Sequence, residues 1–195
     1  MADNYLERKM EEHARSGAAP ALRRSASPQA GKAVFNFPPR RILIAGDDDA
    51  ARAVAETFVR TGSKVAVMSA EKERGSALAD SLGLRLCSAL PGLYQKNIGA
   101  LLETWRGLDI LIVTDPRLPV ADIIGGWEHY RSRFNIPDSY TPRVIMACDG
   151  GIPTVHAPMT ANSIGTEGLT PALTAEFCLF LALPAASFLN GAKIR

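Results

Sequence analysis

The sequence predicts a doubly wound α/β domain: a mostly parallel sheet with helices on both of its faces. Two observations predict it. The apolar runs, such as Ile42–Ala45 and Arg143–Cys148, are continuous and do not alternate with polar residues, as expected for strands covered on both sides. These runs also take turns with stretches of helical period, the pattern of repeated strand–helix–strand units.

Taken in order, the elements are these. Ile42–Ala45 is the first strand. It ends at Gly46, and a helical stripe of Ala51, Val54, Ala55, Phe58 and Val59 follows at once. Gly62 closes that helix, and Lys64–Met68 is the second strand. Glu71–Leu82 is a helix with Ala77, Leu78, Ser81 and Leu82 inward, stopped at Gly83. Leu84–Cys87 is a third, short strand. Tyr94–Trp105 is a helix, with Ile98, Leu101, Leu102 and Trp105 at helical spacing. Asp109–Val113 is the fourth strand. Ala121–Phe134 is a helix weakened by Gly125-Gly126, and Arg143–Cys148 is the fifth strand. Residues 149–170 are rich in Gly, Pro, Thr and Asn and show no clear period. Pro171–Leu183 resumes as a helix with Leu173, Phe177, Phe180 and Leu181 inward, and Ile194 is placed to begin a last edge strand.

Residues 1–40 read as an appendage and residues 41–195 as the domain. Tyr5–Arg15 has the pattern of a short helix with a thin apolar side, Leu6 and Met10, which needs a surface to pack on. Residues 16–39 read as an irregular arm. The net charge is +2, yet residues 1–41 carry eight Lys/Arg against four Asp/Glu, so the basic excess sits in the appendage. A solvated linker explains Arg23-Arg24 better than a nucleic-acid contact does. Cys87, Cys148 and Cys178 lie in apolar contexts with no zinc-ligand spacing and read as reduced core thiols. No apolar run has the length of a membrane span and no secretory leader is seen, so a cytoplasmic location is expected.

Several of these segments resemble the short-chain dehydrogenase/reductase family. Ile42-Leu-Ile-Ala-Gly46 with Ala53-Val-Ala-Glu-Thr-Phe58 is similar to its first strand and helix. Leu108-Asp-Ile-Leu-Ile-Val113 resembles the strand before its Asn-Asn-Ala-Gly motif, and Arg143-Val-Ile-Met146 the strand leading to its catalytic serine. Phe180-Leu-Ala182 and Ser187-Phe-Leu-Asn-Gly191 resemble its late helix and turn. The resemblance implies a Rossmann-like three-layer fold and an NAD(P)-dependent oxidoreductase ancestry. It also implies an N-terminal arm packed on a second subunit, either another copy or an active relative. The chain is shorter than the family's usual length, so part of the sheet is expected to be missing at the C-terminal end.

The positions of chemistry depart from the family. Its phosphate turn, Thr-Gly-x-x-x-Gly-x-Gly, falls on Ala45 and Gly46, with Ala50 and Arg52 in place of the later glycines. Asp47, Asp48 and Asp49 put carboxylates where phosphates would sit, and Asp48 or Asp49 suits a helix N-cap. Ser69 stands where NAD-dependent members carry an acid and suits the 2′-phosphate of NADP. Thr114, in Val113-Thr-Asp-Pro116, replaces the Asn-rich motif, and the serine position falls near Asp149. The chain has no tyrosine after Tyr140, and after Arg143 its one lysine is Lys193, so a Tyr-x-x-x-Lys pair downstream of the fifth strand is impossible. Two registers stay open for residues 155–176: Ala161–Gly165 as a late strand with the catalytic helix deleted, or Gly168–Glu176 as that helix. Among other catalytic options, Cys148 with His156 has no third orienting group, and Asp115 with Asp149 are two acids at neighbouring strand ends. The expectation is therefore no catalytic residue and no resident cofactor. Gly46, Asp48, Ala50, Arg52, Ser69 and Thr114 form a vestigial nucleotide site, which would hold NADP(H) if any nucleotide. A nucleotide-binding oxidoreductase-like protein or sensor is the alternative.

Overall fold

The computed structural model describes residues 37–88, 94–134 and 141–194. Of the appendage predicted for residues 1–40, residues 1–36 lie outside the described residues. The compact unit described below begins at Phe37. Its elements are β1 (Arg41–Ala45), α1 (Asp49–Arg60), β2 (Lys64–Ser69), α2 (Lys72–Leu82), β3 (Arg85–Ser88), α3 (Tyr94–Trp105) and β4 (Ile110–Val113). They continue with α4 (Val120–Phe134), β5 (Arg143–Met146), β6 (Thr160–Ile164), α5 (Pro171–Ala182), a 3₁₀ turn (Pro184–Ala186) and β7 (Lys193–Ile194).

The seven strands form one parallel sheet in the order β3-β2-β1-β4-β5-β6-β7. The chain winds outward from β1 to β3, then crosses back to β4 on the other side of β1. The C-terminal ends of β1 and β4 therefore flank the topological switch point, the place where open α/β sheets bind ligands. Strands β1, β2, β4 and β5 are largely continuous apolar runs because helices cover both faces. Helices α3 and α4 bury Leu101, Ile123 and Trp127 against one face, while α1, α2 and α5 bury Val54, Phe58, Leu78 and Cys178 against the other. Phe37, ahead of β1, is only 7% exposed and meets Phe58 edge-on at 5.5 Å, so the core reaches four residues upstream of the first strand.

Two helices turn differently from their predicted orientation. In α2 the buried residues are Gly75, Leu78 and Ala79, and Ala77 faces solvent. Gly75 sets this. A Cβ there would fall 2.6 Å from the Cβ of Ser69 and 2.8 Å from Leu86, so the glycine lets the helix lie against the ends of β2 and β3. In α5 the buried side is Thr174, Ala175, Cys178, Leu181 and Ala182, while Leu173 and Phe180 are 39% and 47% exposed. This helix is apolar nearly all round, so its period does not select a face. Its small residues and Leu181 pack inward, and Leu173 and Phe180 are left outside.

Strand β6 falls in the stretch without a clear hydrophobic period. Its sequence, Thr-Ala-Asn-Ser-Ile, is polar because amide side chains stitch it to the end of the chain. Asn162 donates to the Leu189 carbonyl at 3.1 Å and accepts from the Ala192 amide at 2.9 Å, and Asn190 Oδ1 accepts from the Ala161 amide at 3.1 Å. This placement decides between the two registers: residues 160–164 are a strand, and residues 147–159 join β5 to β6 without a helix. The sheet is extended by β6 and β7, and the shortening falls on that crossover. Across this join, Arg143 of β5 is 1% exposed and donates from Nη1 to the carbonyls of Leu181 and, at 2.6 Å, Leu183. A buried cation thus occupies the C-terminal end of α5, where unpaired carbonyls and the helix dipole favour positive charge.

Candidate functional site

The turn after β1 opens at Gly46, whose φ of +148° is a conformation that side-chain-bearing residues avoid. A Cβ at Gly46 would lie 1.9 Å from Thr114 Oγ1, so the ends of β1 and β4 touch. Thr114 Oγ1 is buried there with no hydrogen-bond partner. The Thr114 and Asp115 amides both donate to the Ala45 carbonyl, at 2.9 and 3.2 Å.

The three aspartates have separate tasks. Asp48 is the N-cap of α1, accepting from the Ala51 amide at 2.8 Å. Asp49 begins the helix and is exposed. Asp47 turns back toward β2. Its carboxylate accepts from the Ser69 hydroxyl at 2.5 Å and pairs with Arg74 at 3.2 Å, and its side chain is only 7% exposed. Ser69 also engages the Glu71 backbone in both directions. The hydroxyl expected to greet a 2′-phosphate is thus occupied by the protein's own carboxylate and main chain.

Of the other predicted site residues, Ala50 lies in the first turn of α1. Arg52 reaches across to α2, where it donates to Ser81 at 3.0 Å. The structure brings Gly46 and Thr114 into contact, and it joins Ser69 to Asp47, which was outside the predicted set together with Arg74. A carboxylate directly after the turn glycine, where a phosphate would sit, was the available signal for Asp47. Nothing in the local sequence points to Arg74, because Asp47 lies 27 positions away, in the turn after β1.

Asp115 is held by Arg117 through two 2.9 Å bonds, and this contact keeps its carboxyl below the usual range. Its folded value is depressed, so its share of stability is present above the unfolded-chain value and fades as the pH falls through the lower folded one. The pairing of Cys148 with His156 as nucleophile and base is not what the fold makes. His156 Nδ1 sits 3.1–3.2 Å from both Glu128 carboxylate oxygens, so α4 takes the ring. Burial, and then the charges of Asp149, Asp115 and Asp48, push the Cys148 thiol up to about 11. All three thiols are free and buried. At pH 8 iodoacetamide is therefore expected to leave the folded protein unlabelled and to modify all three after denaturation. Labelling of Cys148 should rise about tenfold per pH unit toward pH 11 as the thiolate forms; rapid labelling at pH 8 would contradict this environment.

Among the described residues no group of three His, Cys, Asp or Glu side chains could hold a metal ion, and no helix is long and apolar enough to cross a membrane.

This is a Rossmann-like α/β fold whose ligand crevice carries an unusual acidic lining. No family model matches the chain, and no curated protein sequence matches it. Solved short-chain dehydrogenase/reductase structures share the fold. One, described as a glucose/ribitol dehydrogenase from Brucella melitensis, is 20% identical; the match covers 82% of this chain and 95% of that one, with a TM-score of 0.56. BdcA in complex with NADPH is 17% identical over 82% of this chain and 93% of its own, with a TM-score of 0.55. A 3-ketoacyl-(acyl-carrier-protein) reductase from Brucella melitensis complexed with NADH is 14% identical over 80% and 96%, with a TM-score of 0.57. At these identities the likeness is one of fold.

Proposed function

We propose that this chain is a non-catalytic counterpart of the short-chain dehydrogenases that acts by binding or assembly. The crossover between β5 and β6 carries this reading. In residues 147–159 there is no helix, no tyrosine and no lysine, so the general acid/base of the resembling family has no place to stand. The Asp47–Ser69–Arg74 arrangement supports it from the cofactor side. A dinucleotide would bring two phosphates to a turn that presents Asp47, Asp48 and Asp49, and would have to displace a buried carboxylate from its partners. Assembly would run through residues 1–36, toward a second copy or an active relative.

A second reading is nucleotide binding, with NADP(H) as the ligand. The NADPH and NADH complexes among the similar folds favour it, as do Ser69 and Arg74 side by side at the end of β2. Calorimetric titration of the full chain separates the two. The first reading expects no binding of NADP(H), NAD(H) or adenine nucleotides up to about 1 mM; tighter binding replaces it with the second. Light scattering on the full chain and on a version starting at Phe37 tests assembly, and two unchanged monomers would remove that part.

A further inference from the structure

A cleft of about 360 Å³ lies at the C-terminal ends of β5, β6 and β7, away from the β1–β2 corner closed by Asp47. Cys148, Asp149, Ser163 and Lys193 line it, with Gly150 and Gly151 as a wall that lacks side chains. Ladder pairing explains why these residues meet. Met146 is opposite Ser163, and Ser163 is opposite Lys193, so all three project from one face of the sheet, and Cys148 follows Met146 by two. That face is the one the helix-free crossover leaves open.

Three polar groups there have nothing to bind. Ser163 is 2% exposed, and its Oγ is buried with no hydrogen-bond partner. A buried hydroxyl left unpaired is costly, and such groups call for an explanation. Among the described residues neither Asp149 nor Lys193 makes an ion pair, with each other or with any other group, although both line the same cleft. Asp149 follows β5 and Lys193 lies in β7. Two strand spacings, about 10 Å, separate those strands.

We propose that this cleft binds a small zwitterion, its carboxylate held by Lys193 and the Ser163 hydroxyl and its ammonium by Asp149. The charge distribution selects this class. The β5 end carries the exposed Asp149, whose charge adds to the burial that raises the Cys148 thiol, and repels a bare anion. The β7 end carries Lys193 and repels a bare cation. A ligand with both charges satisfies both ends and gives the Ser163 hydroxyl an acceptor. The site is independent of the functional reading above, because it uses none of the nucleotide-turn residues.

Saturation-transfer NMR and calorimetry on the full chain test it, with L-alanine and 4-aminobutanoate as zwitterions and butanoate and butylamine as singly charged analogues. The expected result is binding of at least one zwitterion below about 10 mM, and at least tenfold weaker binding of butanoate and butylamine. The spacing preference between the two zwitterions then measures the distance between the charged ends. Lys193→Met and Asp149→Asn, both at exposed positions, should each weaken binding at least tenfold with the thermal midpoint unchanged. Ser163→Ala should weaken it several-fold. No zwitterion binding at about 10 mM, equal binding of butanoate, or binding indifferent to both surface substitutions would overturn the proposal. NADP(H) titrated alongside keeps the two readings apart: its binding would count against the non-catalytic proposal and leave this one standing.

Discussion

Arg143→Ala is expected to destabilise the protein by about 3–5 kcal/mol, the usual cost of removing one partner from a buried charged contact. The guanidinium is 1% exposed and ties β5 to the carbonyls of Leu181 and Leu183 at the end of α5. Truncation leaves those carbonyls buried without their donor, at about 1–3 kcal/mol each before relaxation, and opens a cavity beneath them. For a domain of this size the loss lowers the thermal midpoint by roughly 6–20 °C. Arg143→Met separates the two contributions. It refills much of the volume but offers no donor, so it should recover part of the loss and not all of it. Chemical denaturation of the three proteins measures this. An alanine variant within about 1 kcal/mol of the parent would show that the α5 end does not depend on the cation.

The second large effect is at Gly46. Gly46→Ala places a Cβ 1.9 Å from Thr114 Oγ1 and 3.1 Å from the Asp115 amide, at a φ of +148°. Backbone strain of about 1–3 kcal/mol and overpacking of about 1–3 kcal/mol act together, so a loss of about 3–5 kcal/mol is expected. Thr114→Ala removes the nearest atom, a hydroxyl that has no partner to lose. By itself it should cost no more than about 1 kcal/mol. In the double variant it should return the overpacking share while the backbone strain stays. The coupling is thus favourable, and a double-mutant cycle by urea denaturation reads it directly. Simple additivity would mean that the ends of β1 and β4 do not touch in solution.

Both substitutions bear on function as well as stability. Gly46 stands where the resembling family's turn has its first glycine, but its neighbour is Thr114, and its geometry is explained by the contact between two strands. Asp47, next to it, closes on Ser69 and Arg74. A glycine that serves packing and an aspartate bonded inward support the proposal that this turn does not grip phosphate.

How far the sequence could be read followed from the range of the interactions. The strands β1, β2, β4 and β5 were legible because burial on both faces demands unbroken apolar runs, and a run is a local pattern. The helices α1 and α3 were legible because each has one apolar stripe. Strand β6 was offered only by the resemblance, as one of two registers, and not by its pattern: its buried Asn162 and Ser163 look polar in sequence, and only residues 189–192, folded beside it, satisfy the amide. The orientation of α5 was hidden because a helix apolar on every side carries no directional signal.

For the site, the sequence alone determined that no Tyr-x-x-x-Lys pair lies downstream of β5, since no tyrosine stands there, and it determined the acidic turn and the doubly wound class. Only the tertiary structure decided that Asp47, and not Asp48 or Arg52, meets Ser69, and that Asp149, Ser163 and Lys193 share one cleft. The reason is the sheet. Strand order and register bring Ser69 to within 2.5 Å of Asp47, 22 positions away, and set Asp149 and Lys193, 44 positions apart, on the rim of one cleft, and neither is encoded in the local pattern around any one of them.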